Sequence, residues 1–229
     1  MGRPELPFDY QRALKTVKSY PIIHKYFPVD RFIVRPAAAL VVGIFFRTRV
    51  KPNHLTGVSF LLSVVSGIVF AFGEPAFVVA GGCLAMLSDI FDNADGMLAR
   101  AKNMTSRFGA FLDLFLDRIG DFAVLTGITF GIYRVTADPR VLMLGLLTIG
   151  LYLLQVGLYY LNNIYTGASS IGEGAEAKNL AVFAILVLSL VGRPIWILIG
   201  ILMLGILGTV SKVIRFMIKG RVPPASPAR

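Results

Sequence analysis

The sequence predicts an all-α integral membrane protein with six transmembrane helices and an N-terminal amphipathic juxtamembrane segment. Three observations carry this. The chain has 229 residues, is 55% hydrophobic and 16% charged, and has a mean hydropathy of +0.71, more apolar side chain than a soluble domain of this length could hide. Apolar runs of spanning length recur from residue 55 onward, divided by short Pro, Gly or charged breaks. Lys and Arg gather on one side of those runs.

Taken in order, residues 8–29 mix Phe, Tyr and Ile with Arg12, Lys15, Lys18 and Lys25, the pattern of a helix lying on a membrane, interrupted before Pro21. Residues 31–49 are apolar but short and basic at both ends, and read as a juxtamembrane or shallow helix rather than a crossing. Together they form an N-terminal region, 1–53. Pro52-Asn53 makes a turn, Thr56 lies just inside the next helix, and the first span runs from Leu55 to about Phe72. Gly73-Glu74-Pro75 closes it. The second span covers about Ala76–Ala99 and the third about Ser106–Tyr133, and the short loop between them makes the two antiparallel neighbours. Asp138-Pro139 precedes a fourth span at about 141–163. GASSIGEGAEAK reads as a polar loop, and Gly192-Arg193-Pro194 divides the last two spans, about 177–191 and 195–216. The spans make one six-helix domain, 54–218, followed by a basic cytoplasmic tail, 219–229.

With the N-terminus in the cytoplasm, that side receives Arg3 through Lys51, then Arg100, Lys102, Arg107, Lys178 and the tail from Lys212. The other side keeps only Arg134, Arg140 and Arg193. The predicted location is therefore the cytoplasmic (plasma) membrane, multi-pass. The net charge of +10 lies beside apolar spans, so it points to an anionic lipid surface and not to nucleic acid. The single Cys83 excludes an internal disulfide and reads as a small packing residue. The polar, mixed first thirty residues show no cleavable signal peptide.

Four carboxylates stand inside these apolar runs: Asp92, Asp95, Asp113 and Asp117. A carboxylate in a span costs about 2.5–3.5 kcal/mol on insertion scales, so four together require a partner. Asp92 and Asp95 are i,i+3 near the end of the second span, and Asp113 and Asp117 are i,i+4 near the start of the third. Each pair occupies one helix face, and the four can converge just below the cytoplasmic surface. Oxygen-only ligands suit Mg²⁺ or Mn²⁺, and no Cys/His set suits zinc. A pair of divalent ions held by carboxylates suits phosphoryl chemistry. Gly96 and Gly109 flank the site; each alone fits either close helix packing or approach of a ligand, and together beside the carboxylates they favour a ligand. Arg100, one turn beyond Asp95, can hold a phosphate or the carboxylates. Asp89 is either a fifth ligand or a polar group behind the ligands.

The string Asp92-x-x-Asp95-Gly96-x-x-Ala99-Arg100, eight residues, then Gly109-x-x-x-Asp113-x-x-x-Asp117, resembles without a gap the signature of the CDP-alcohol phosphotransferase family. The spans, the N-terminal surface helix and the stretch Lys51–Thr56 also fit that family. The resemblance implies attack of an acceptor hydroxyl on the β-phosphorus of a CDP-linked lipid, usually CDP-diacylglycerol, with release of CMP. It implies that Asp92, Asp95 and Asp113 bind two metal ions, Mg²⁺ or Mn²⁺. Asp117 completes that metal set and is the candidate general base. Gly96, Ala99, Arg100 and Gly109 would line the pocket for the CDP moiety. Family members are often dimers, which implies a possible homodimer.

The stretch Ser106–Asp121, including Arg118 and Asp121, is similar to the branch that makes phosphatidylinositol phosphate or archaeal inositol-phosphate lipids. It lacks the Asp-Pro-x-x-Asp-Lys form of the glycerol-phosphate branch. Arg118, Asp121, Lys212 and Arg215 are the candidate acceptor-binding residues. That branch also carries a Lys late in the fourth span, where Asn162 or Asn163 falls here, and an Arg early in the fifth, near Lys178 or Asn179. The acceptor is therefore a small polyol or its phosphate, with inositol phosphate favoured and glycerol phosphate, serine or an unphosphorylated alcohol as alternatives. A divalent-metal or proton transporter also places carboxylates in spans, but no inverted repeat is visible and the acidic cluster lies near one surface.

Overall fold

The computed structural model describes residues 29–166 and 171–219. Of the expected surface helix over residues 8–29, all but residue 29 lies outside the described residues, as does the tail beyond Lys219. Asp30–Val34 winds as a π-helical turn that runs into α1 (Arg35–Phe45). Then follow α2 (Pro52–Phe70), α3 (Pro75–Ala101), α4 (Arg107–Thr136), α5 (Pro139–Thr166), α6 (Ile171–Leu190) and α7 (Ile195–Lys219).

The breaks follow local chemistry. Proline opens α2, α3 and α5, where its missing N–H costs nothing. Lys51 is extended ahead of α2, and its N–H donates to His54 Nδ1 at 3.3 Å. Gly73 takes φ +77° before α3, and Gly192 takes φ +69° before α7. Ser106 caps α4, its Oγ accepting from the Gly109 N–H at 3.0 Å. At the other end Ala137 turns left-handed, φ 52°, just before Pro139. One expectation fails: α6 begins at Ile171, so most of the GASSIGEGAEAK segment is helical. Its Ala and Glu residues are good helix formers, and glutamates near a helix start favour the macrodipole.

By length and composition α2, α3 and residues Pro139–Leu158 of α5 can cross a membrane. α4 is long enough but carries its own charges, and the apolar stretches described in α6 and α7 are shorter, Leu180–Leu190 and Ile195–Ser211. Large apolar side chains such as Leu61, Phe111 and Leu146 stand exposed on the outside, a surface that belongs against lipid.

The expected pairing of the two aspartate helices is corrected. α3 and α4 touch only slightly, and α2 packs along both of them. Small residues permit this. A Cβ on Gly127 would strike the backbone of Gly67, and a Cβ on Gly67 would strike the backbone of Ala123. Toward α3 the contact is polar: Ser66 Oγ donates to the Gly81 carbonyl at 2.8 Å, Ser88 Oγ to the Ser59 carbonyl at 2.8 Å, and the Ser63 and Ser88 hydroxyls lie 2.7 Å apart. α1 adds to the α3 side, where Ala38, Val42, Leu55, Ala94 and Leu98 form one apolar cluster. Phe70, Val78, Val124, Ile128 and Ile132, with Ile185 and Leu198, form the other. Along α2, α3 and α4 the polar residues fall between these clusters.

Candidate active site

The C-terminal third of α3 and the N-terminal half of α4 present the aspartates, with α2 between them. One carboxylate oxygen each from Asp92, Asp95 and Asp113 lie within 4.8 Å of one another. Asp95 is buried, and Thr56 at the start of α2 donates its hydroxyl to Asp95 Oδ2 at 2.5 Å. Asp113 Oδ1 is buried and accepts no hydrogen bond among the described residues. A buried carboxylate oxygen without a donor is costly, and one facing two other carboxylates fits a cation. The donor set is oxygen alone, which suits Mg²⁺ or Mn²⁺.

Asp117 joins the set through a residue the sequence reading placed only loosely. Lys178, on α6, donates to Asp117 Oδ2 at 2.8 Å and to Asp92 Oδ2 at 3.0 Å. Arg118 Nη2 reaches the same Asp117 oxygen at 3.2 Å, and its Nη1 lies 3.0 Å from Asp121 Oδ2. Tyr152, on α5, accepts from Arg118 and donates to Asp121. Asp89 is buried one turn deeper than Asp92, and neither of its oxygens has a hydrogen-bond partner among the described residues. Six carboxylates (Asp89, Asp92, Asp95, Asp113, Asp117 and Asp121) thus gather round two cations, Lys178 and Arg118.

Thr56, Ser59 and Ser63 of α2 line a small cleft with Asp92 and Asp117. Its volume of about 10 Å³ holds one ion or water and not a nucleotide. Gly96 and Gly109 lie at the outer end of the site. A Cβ on Gly96 would meet only the end of the Arg100 side chain, 3.3 Å from Nη1. One on Gly109 would meet Ser106 Oγ and Asn53 Oδ1, at 3.0 and 3.3 Å. Neither glycine seats another helix's backbone, unlike Gly67 and Gly127. Ala99 is half-buried beside the exposed Arg100. The side chains of Lys212 and Arg215 on α7, and of Asn162, Asn163 and Asn179, lie outside the described residues.

Sequence reasoning missed Thr56 as a carboxylate partner and missed Tyr152 altogether. A signal existed for the first: Thr56, Ser59, Ser63 and Ser66 form a hydroxyl stripe at helical spacing on one face of an otherwise apolar span. None existed for Tyr152, whose neighbours are Leu151 and Leu153.

Comparison with known proteins identifies the family. A family model described as CDP-alcohol phosphatidyltransferase matches residues 49–214. The chain is similar to a bifunctional IPC transferase and DIPP synthase of Aquifex aeolicus, 44% identical over 77 residues, 34% of this chain and 17% of that protein. It is 34% identical over 82 residues to an archaetidylinositol phosphate synthase of Pyrococcus horikoshii, 36% of this chain and 42% of that one. A phosphatidylinositol phosphate synthase of Corynebacterium glutamicum is 33% identical over 111 residues, 48% of each chain. In these matches the chain spans less than half of each relative's own length. The fold is similar to the crystal structure of Mycobacterium tuberculosis phosphatidylinositol phosphate synthase with CDP-DAG bound, with a TM-score of 0.64 and 21% identity over 85% of this chain and 98% of that one.

Proposed function

Because this chain belongs to the CDP-alcohol phosphatidyltransferase family, we propose that it transfers the phosphatidyl-type group of a CDP-linked lipid, CDP-diacylglycerol first, to a small polyol or polyol phosphate. The observation that carries this is the convergence of Asp92, Asp95 and Asp113 on one point, with Asp117 tied to Asp92 through Lys178. In the reaction the acceptor oxygen bonds to the β-phosphorus, the bond from that phosphorus to the CMP oxygen breaks, and the hydroxyl proton passes to the Asp117 carboxylate. Asp92, Asp95, Asp113 and Asp117 would hold two Mg²⁺ or Mn²⁺ ions, which when bound neutralise the diphosphate and stabilise the leaving oxygen. Gly96, Ala99 and Gly109 would line the CDP moiety at the outer end, and Arg100 lies over Gly96 where a phosphate would be met.

Inositol phosphate is the favoured acceptor. The relatives from P. horikoshii and C. glutamicum are named for inositol phosphate lipids. Lys178 brings a cation from α6 into the site, where that branch carries an arginine. An unphosphorylated alcohol is the second choice, favoured by Asn162 or Asn163 where the branch carries a lysine. Six spans, with the site opening to the cytoplasm, complete the proposal. The hydropathy runs and the one-sided Lys and Arg support it.

The test is direct. Purified protein receives CDP-diacylglycerol, Mg²⁺ or Mn²⁺ and a panel of polyols and polyol phosphates, and CMP and product lipid are identified by mass spectrometry. CMP release with inositol phosphate, lost in excess EDTA, is the expected result. Undiminished turnover in EDTA removes the metal role. No CMP with any acceptor, together with metal or proton flux into liposomes, replaces the transferase with a transporter.

A further inference from the structure

Asp117 is held by two cations, Lys178 at 2.8 Å and Arg118 at 3.2 Å, and the second of these needs holding itself. Arg118 is its immediate neighbour on α4, so the two side chains leave the helix about 100° apart, and Arg118 must bend back for Nη2 to reach Asp117 Oδ2. A long arginine loses rotamer freedom when fixed in one such arrangement, so an outside anchor matters. Asp121, three residues on, pairs with Nη1 but belongs to the same helix. Tyr152 supplies the fixed point outside α4. Its hydroxyl accepts from Arg118 Nη1 and donates to Asp121 Oδ2, closing a triangle anchored on α5.

We propose that Tyr152 is a positioning residue for the transfer reaction, setting the orientation of Asp117 through Arg118. The proposal rests on the transferase assignment above, since only that chemistry makes Asp117 the proton acceptor. Both Nη atoms of Arg118 face carboxylates, an arrangement that fixes its guanidinium against Asp117.

The experiment is a double-mutant cycle on the full chain in lipid nanodiscs, with Tyr152→Phe, Arg118→Ala and the pair. It reads kcat, the KM of each substrate and the melting temperature. Tyr152→Phe keeps the ring and loses only the hydroxyl. It is expected to lower kcat about tenfold, since misplacement of a reacting group by 1 Å costs up to about 10²-fold. The KM of CDP-diacylglycerol stays within about twofold, as uniform binding is untouched. Residues acting in series are not additive, so the double variant is no slower than Arg118→Ala alone. A structural role would lower the melting temperature and multiply the two losses. Should Tyr152→Phe not fold, Asp121→Asn opens the triangle from its other corner, with the same kcat loss and unchanged CDP-lipid KM expected. An active wild type with a wild-type kcat in Tyr152→Phe, or in Asp121→Asn where that stands in, overturns this proposal alone, as do multiplicative losses. A wild type that releases no CMP with any acceptor overturns the transferase assignment and this proposal with it.

Discussion

At the scale of single residues, the four signature aspartates divide by their partners. Asp117 meets two cations, Lys178 and Arg118, whereas Asp95 meets a hydroxyl and Asp113 Oδ1 has no donor among the described residues. Asp117→Asn is therefore expected to lower transfer by about 10²–10⁴-fold, the usual loss of a general base, while CDP-lipid binding persists. Asp92→Asn is expected to weaken Mn²⁺ and CDP-lipid binding together. Equal loss of binding in both variants, measured by titration, refutes this division. Thr56 orients Asp95 from behind, and loss of such a partner lowers metal affinity about 10–100-fold. Thr56→Val should show that loss in Mn²⁺ titration, and Thr56→Ser should restore it. The aspartates were legible because helical spacing put each pair on one face within 26 residues. Lys178 was not, because 86 and 61 residues separate it from Asp92 and Asp117, and only the packing of α6 on α3 brings it in.

At the scale of elements, glycines separate into two kinds. Gly67 and Gly127 lie where α2 and α4 meet backbone to backbone, and a methyl on either overlaps the opposite chain. Overpacking of this kind costs about 1–3 kcal/mol. Around Gly150 on α5, among the described residues, nothing outside its own helix backbone and chain neighbours comes within 4 Å of where a Cβ would stand. Gly127→Ala should lower the melting temperature in detergent, and Gly150→Ala should leave it equal or raise it, since alanine is the better helix former by about 1 kcal/mol. The reverse order would show that α2 and α4 are not packed this closely. The helix limits were mostly legible from Pro52, Pro75, Pro139 and Gly192, whose backbone rules act locally. Which helices touch was not. A short loop joins α3 and α4, yet α2 separates them, because Gly67 and Gly127 let it approach α4 more closely than any side-chain contact allows.

For the whole molecule, the positive charge predicts orientation. Met104→Cys and Pro139→Cys, each in a Cys83→Ser background, report the two sides through an impermeant thiol reagent on intact cells. Reaction at position 139, with position 104 reacting only after permeabilisation, is the expected pattern; the opposite pattern inverts the topology. All-helical membrane character was legible from hydropathy alone, since no soluble core could take up so many apolar side chains. The charged site broke the same signal in α4, whose aspartates and arginines interrupt its apolar length.

With α2 packed along both aspartate helices, the spacing at which their carboxylates meet depends on how closely α2 seats against each. Gly67 stands eleven residues from Thr56, roughly 16 Å away along the axis. Ligand distances for Mg²⁺ are about 2.0–2.1 Å and for Ca²⁺ about 2.3–2.6 Å, so a shift of a few tenths of an ångström decides which ion is held well. A larger residue at Gly67 or Gly127 is expected to act as a spacer that spreads the carboxylates without touching one of them. The proposed preference for one divalent ion over another would then be open to adjustment from inside the bilayer, at positions where no survey of ligands would look.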